Sequence, residues 1–123
     1  MRLIISTLAA IGLSAVFAGD VRADAAAGKA AFEAQKCTGC HYADGPAREK
    51  SIADQLAKKG PELWYAGSKF KKDWLNAWLQ DPKPIRALAY NSLTKKNAGD
   101  HPKLSGGDAG NMTDFLMSKT SSE

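Results

Sequence analysis

The segment "KCTGCHYADG" (residues 36–45) holds both cysteines of the chain and one of its two histidines. Two thiols at a three-residue offset, with an imidazole directly behind them, allow few kinds of chemistry. A disulfide between Cys37 and Cys40 would close a small, strained loop of little structural value. A dithiol redox motif wants a βαβ setting, and no strand pattern lies nearby. A zinc site wants a second ligand pair at comparable spacing, and the chain has no further cysteine to build one. C-x-x-C-H is the attachment sequence of a c-type haem. Each thiol adds to one vinyl group of the porphyrin, and His41 then falls beneath the iron as its proximal axial ligand. The other ring nitrogen of His41 is expected to donate to a backbone carbonyl, fixing the ring.

The start of the chain agrees with that chemistry. After Met1-Arg2 come sixteen uncharged, mostly small or aliphatic residues, "LIISTLAAIGLSAVFA", then the Ala-x-Ala pattern of residues 23–25. A basic start, an apolar stretch shorter than the roughly 20 residues of a membrane span, and a small-residue end describe an export signal. An uncleaved anchor is the alternative. Cleavage after Ala23 leaves a single domain over residues 24–123, with 15 basic and 12 acidic residues and a net charge of +3. That charge is too small and diffuse to imply nucleic acid. A domain of this size buries only a modest core, so a tightly held prosthetic group stabilises it considerably.

Strong helix formers fill residues 24–36, with Asp24 as N-cap and Gly28 and Phe32 on one face. A second, short helix is expected over residues 51–60. A third is expected over residues 67–82, where Phe70, Trp74 and Trp78 recur every four residues beside Leu75 and Leu79. A closing helix is expected over residues 104–119, with Ser105 and Asp108 as its capping box and Met112, Phe115 and Leu116 as its buried stripe. The fold class is therefore all-α. Residues 82–103 lack a periodic signal and form a loop unusually long for so small a domain.

In this order, the pieces resemble a class I monohaem cytochrome c across the whole exported region. "GKAAFEAQKCTGCH" is similar to the family's first helix and haem motif. "KGPEL" is similar to its Gly-Pro-x-Leu segment, which implies that the Pro61 carbonyl holds the ring of His41. "WLNAWLQDP" resembles the family's third helix with its Asp-Pro stop. "LSGGDAGNMTDFLMS" resembles its last helix, whose aromatic, here Phe115, packs at the glycine of the first helix, here Gly28. The resemblance implies N- and C-terminal helices that cross, one covalent haem and an electron-carrying role without catalytic residues.

Two departures stand out. The spacer between His41 and Gly60 is longer than the family's, suggesting an extra helix. The distal ligand is normally a methionine in Met-Pro-x-Leu, and here that stretch reads "HPKL", placing His101 at the ligand position. Met112 and Met117 are the alternatives, and both fall on the closing helix, where methionine at helical spacing more often fills space. An open iron is the third possibility. The expected reading is bis-histidine ligation with a lowered potential, in a periplasmic, monomeric electron carrier without stable membrane insertion. Lysines at 58–59, 69, 71–72 and 95–96 offer either a solvated face or a docking surface for acidic redox proteins. A haem subunit of a larger oxidoreductase and a gas-binding sensor are the competing functional classes.

Overall fold

The computed structural model describes residues 24–121. The export segment expected over residues 1–23 lies outside the described residues. Among the described residues five α-helices carry the fold: α1 (Ala25–Ala34), α2 (Ile52–Ala57), α3 (Ala66–Lys69), α4 (Lys72–Gln80) and α5 (Gly106–Met117). Single 3-10 turns stand at Cys37–Gly39 and Ala47–Glu49.

The alanine run of α1 costs little side-chain entropy as a helix. Asp24 caps it, accepting from the Ala26 N–H at 2.8 Å. Just beyond its end, Lys36 adopts a left-handed backbone (φ 56°), and the chain swings into the turn that carries the cysteines. Ser105 caps α5 by accepting from the Asp108 N–H at 3.3 Å. The two helices cross at Gly28. A Cβ there would collide with the Asn111 carbonyl and stand 2.7 Å from Phe115 Cβ, so only glycine lets the backbones approach. Phe32 and Phe115 meet beside the crossing with ring centres 5.4 Å apart. Around them the core gathers Leu63, Leu75, Leu79, Leu104, Ala109, Met112 and Leu116.

The single helix expected over residues 67–82 is in fact two. Phe70 and Lys71 are extended and separate α3 from α4. The cause is tertiary. The Gly67 N–H donates to the Lys119 carbonyl at 2.7 Å, and a Cβ on Gly67 would strike the Met117 carbonyl. The Ser121 N–H donates to Ser68 Oγ at 3.0 Å. α3 is thus tied to the end of α5, and a straight continuation into α4 would pull it away. The leucines and the aromatic stripe of this segment are buried to different extents. Leu75 and Leu79 enter the core, whereas Trp74 is 40% exposed. Phe70, Trp74 and Trp78 stack on one another, with centres 5.5 and 6.0 Å apart and planes within 21°, and Phe70 and Trp78 also pack against the core.

The segment 82–103 doubles back on itself. The Ala89 N–H donates to the Lys95 carbonyl at 2.8 Å and the Asn97 N–H to the Ala87 carbonyl at 2.9 Å. Leu88 and Lys96 form one antiparallel bridge, the only β-pairing among the described residues. The Leu104 N–H then donates to the Leu79 carbonyl at 2.9 Å and returns the chain to α4.

Candidate haem site

The 3-10 turn after α1 aims the motif. The Cys37 carbonyl accepts from the Cys40 N–H at 3.1 Å and from the His41 N–H at 3.0 Å. Both cysteines are half-buried, and they are not joined to each other. Burial pushes the Cys37 thiol up, and the neighbouring Cys40 adds to this against a lowering backbone hydrogen bond. A redox dithiol works through a lowered thiolate pKa, the opposite tendency.

Segment 60–63 braces the motif from below. The Gly60 N–H donates to the Cys40 carbonyl at 3.0 Å, and the Leu63 N–H to the Tyr42 carbonyl at 2.7 Å. His41 Nδ1 lies 2.6 Å from the Pro61 carbonyl oxygen. A carbonyl only accepts, so Nδ1 carries the proton and Nε2 keeps a free lone pair. The His41 ring rests directly on Gly60. A Cβ at Gly60 would collide with Cε1 and come within 2.8 Å of both ring nitrogens. Burial, chiefly, lowers the His41 pKa, with His101 and Lys58 adding to the effect and the Pro61 hydrogen bond opposing it. The imidazole is thereby kept neutral, as a metal ligand must be.

His101 reaches the same place from the far side of the fold. Its Nδ1 lies 2.9 Å from the Pro102 carbonyl oxygen, so here too Nδ1 donates and Nε2 is free. The edge of Trp78 holds the ring at 4.7 Å between centres, and the indole is anchored by its Nε1–H donating to the Lys83 carbonyl at 3.0 Å. The His41 and His101 ring centres are 6.2 Å apart. Two imidazoles bound to one metal from opposite sides, each nitrogen about 2 Å from it, have ring centres roughly 6 Å apart. Among the described residues no group of three or more His, Cys, Asp or Glu side chains could hold a bare ion. A porphyrin would supply ligands of its own, and the two cysteines beside His41 are spaced to hold one. The residues present fit a haem.

Met112 is 2% exposed inside the helical core and Met117 packs against that core. The lysines differ in their engagement. Lys58 Nζ donates to the Thr38 carbonyl at 2.5 Å and stands over the Tyr42 ring, and Lys72 pairs with Asp114 at 3.1 Å. Lys59, Lys71, Lys95 and Lys96 are exposed.

The contacts of three side chains around the site escaped sequence reasoning. Glu62 accepts from the Ala47 N–H at 2.5 Å and from Trp64 Nε1 at 3.2 Å, tying the spacer to the segment beneath His41. Lys58 joins the spacer to the motif itself. Asn91 binds the spacer to the distal loop. Each acts across a long sequence gap, and no local pattern announces such a bond.

No helix among the described residues is long and apolar enough to cross a membrane. No curated protein and no solved structure matches the chain significantly. The model of the cytochrome c family matches residues 25–120, the whole helical unit with both histidines. The chain belongs to the cytochrome c family and is an all-α, monohaem electron-transfer protein with covalently attached haem c.

Proposed function

We propose that the protein is a periplasmic one-electron carrier. Cys37 and Cys40 hold the haem through thioether bonds, His41 is the proximal ligand and His101 the distal one. The observation that carries this reading is the pair of facing imidazoles, 6.2 Å apart and each with its Nδ1 occupied by a carbonyl. The haem supplies the one-electron couple of its iron, and the chain's own residues keep the ligand set constant between oxidation states. The Pro61 carbonyl orients His41, Gly60 gives its ring room, and Trp78 and Pro102 restrain His101. Little has to move when an electron arrives, which suits a carrier. The signal-like residues 1–23 support the periplasmic location.

The electron donors and acceptors are acidic redox proteins, steered by Lys69, Lys71, Lys95 and Lys96. Near-infrared and electron paramagnetic resonance spectra of the oxidised protein test the ligation. A low-spin bis-imidazole signature without an iron–methionine charge-transfer band is expected, and that band would reject His101 as ligand.

One observation favours a second reading, a haem subunit seated in a larger oxidoreductase. Ile52 and Leu56, one turn apart on α2, are 74% and 64% exposed. Migration of the native protein at the mass of a monomer in gently prepared periplasmic extract would leave the carrier reading alone.

A further inference from the structure

The chain departs from the family's sequence pattern in two places, the long spacer after the haem motif and the histidine that stands at the methionine position of the distal loop. In the folded protein these two departures meet. The spacer contributes α2, and the loop contributes the hairpin closed by Leu88 and Lys96. Asn91, in the turn of that hairpin, has a left-handed backbone (φ 58°). Its side-chain Nδ2 donates to the Gln55 carbonyl and to the Lys58 carbonyl, both at 2.9 Å. These carbonyls stand at the C-terminal end of α2, where that of Gln55 also accepts from the Lys58 N–H at 3.3 Å and no further turn of helix follows.

The chemistry selects asparagine. The residue tolerates the left-handed region, and one amide nitrogen carries two protons for two acceptors. Glycine shares the backbone freedom but has no donor, and an ionised aspartate only accepts. The connection continues on both sides. Lys58 donates to the Thr38 carbonyl inside the haem motif. Across the hairpin, Asn97 Nδ2 donates to the Arg86 carbonyl at 3.1 Å, and Asn97 Oδ1 accepts from the Gly99 N–H at 3.0 Å, two residues before His101.

We infer that Asn91 is a positioning residue for the distal ligand, a clasp that ties the His101 loop to the proximal segment and keeps the iron closed to outside ligands. The inference rests on His101 as the distal ligand. When His101 leaves the iron together with its loop, that swing breaks the two Asn91 hydrogen bonds. Removing both at an exposed site raises the population of the open loop roughly five- to tenfold.

Asn91→Asp and Asn91→Gly, made in the full holoprotein, test this with cyanide as the probe. Both substitutions accept the backbone and neither donates. The rate of cyanide binding to the oxidised protein is expected to rise roughly five- to tenfold in each, while the resting spectrum stays that of the parent. Phe32→Leu serves as a control for general loosening, lowering the denaturation midpoint without changing the cyanide rate. Equal cyanide rates in the parent and both Asn91 variants overturn the clasp, as does an equal rise in Phe32→Leu. The ligation reading is checked separately on the parent's spectrum. An iron–methionine band there removes the clasp's target before any Asn91 variant is compared.

Discussion

His41 and His101 bring their imidazole rings together across the fold, with centres 6.2 Å apart and planes inclined at 60°. Neither ring relies on the other for its place. His41 is held by Pro61 and Gly60, and His101 by Pro102 and Trp78. Each ring keeps Nε2 free because a carbonyl occupies Nδ1. The separation is thus set by the polypeptide and suits a metal held between the rings.

Changing the distal ligand tests that relationship. Thioether ligation raises the potential of haem iron relative to imidazole. His101→Met should retain the covalent haem and raise the reduction potential by on the order of 0.1 V or more, within the roughly 0.8 V that axial ligands command. Spectroelectrochemical titration measures this. A variant that gains an iron–methionine band while its potential stays put or falls would contradict the assignment.

Gly60→Ala probes the proximal side. The added methyl collides with the His41 ring, so the ring or the segment carrying Pro61 must shift. Overpacking of this kind costs about 1–3 kcal/mol. A lower denaturation midpoint is expected, together with a perturbed iron spectrum, whereas a midpoint drop alone would mean that the ring did not depend on this glycine.

Burial lowers the His41 pKa from its ordinary value of 6.5, and iron held at Nε2 would exclude the proton further. The folded protein therefore resists the proton that the unfolded chain takes up. Stability is complete above about pH 6.5 and declines as pH falls towards the depressed folded-state value, by at most roughly 1.4 kcal/mol per pH unit for this one group. Denaturant midpoints between pH 7.5 and 5, with attached haem retained, measure the trend. Flat stability across that window would show that His41 contributes no such linkage.

The exposed lysines give a kinetic expectation. If Lys71, Lys95 and Lys96 steer an acidic partner, electron-transfer rates fall as ionic strength rises. Charge reversal to glutamate at these positions should slow association roughly tenfold at low salt and much less at high salt. Stopped-flow rates that ignore both salt and substitution would remove these residues from the docking surface.

Several features were legible in the sequence because their causes are local. Cys37, Cys40 and His41 are spaced for one prosthetic group by adjacency alone. Asp24 and Ser105 cap the helices they immediately precede, and Gly28 stands one turn from Phe32 on the face that crosses α5. The resemblance at "HPKL" singled out His101 even though its loop carries no periodic signal. Other features could not be read in this way. The break at Phe70 and Lys71 contradicts a periodicity that runs straight through it. Its reason lies at Met117 and Lys119, far along the chain.

By itself, the sequence determined the haem chemistry, the helical class and the places where helices begin, since a cap, a motif or a spacing acts within a few residues. Only the tertiary structure decided that α3 and α4 are separate, that Trp74 stands outside the core, and that Asn91 reaches α2. It also decided that His41 and His101 face each other at a separation suited to a metal. These outcomes depend on backbone groups meeting across long stretches of chain, and which acceptor a donor finds there is set by packing.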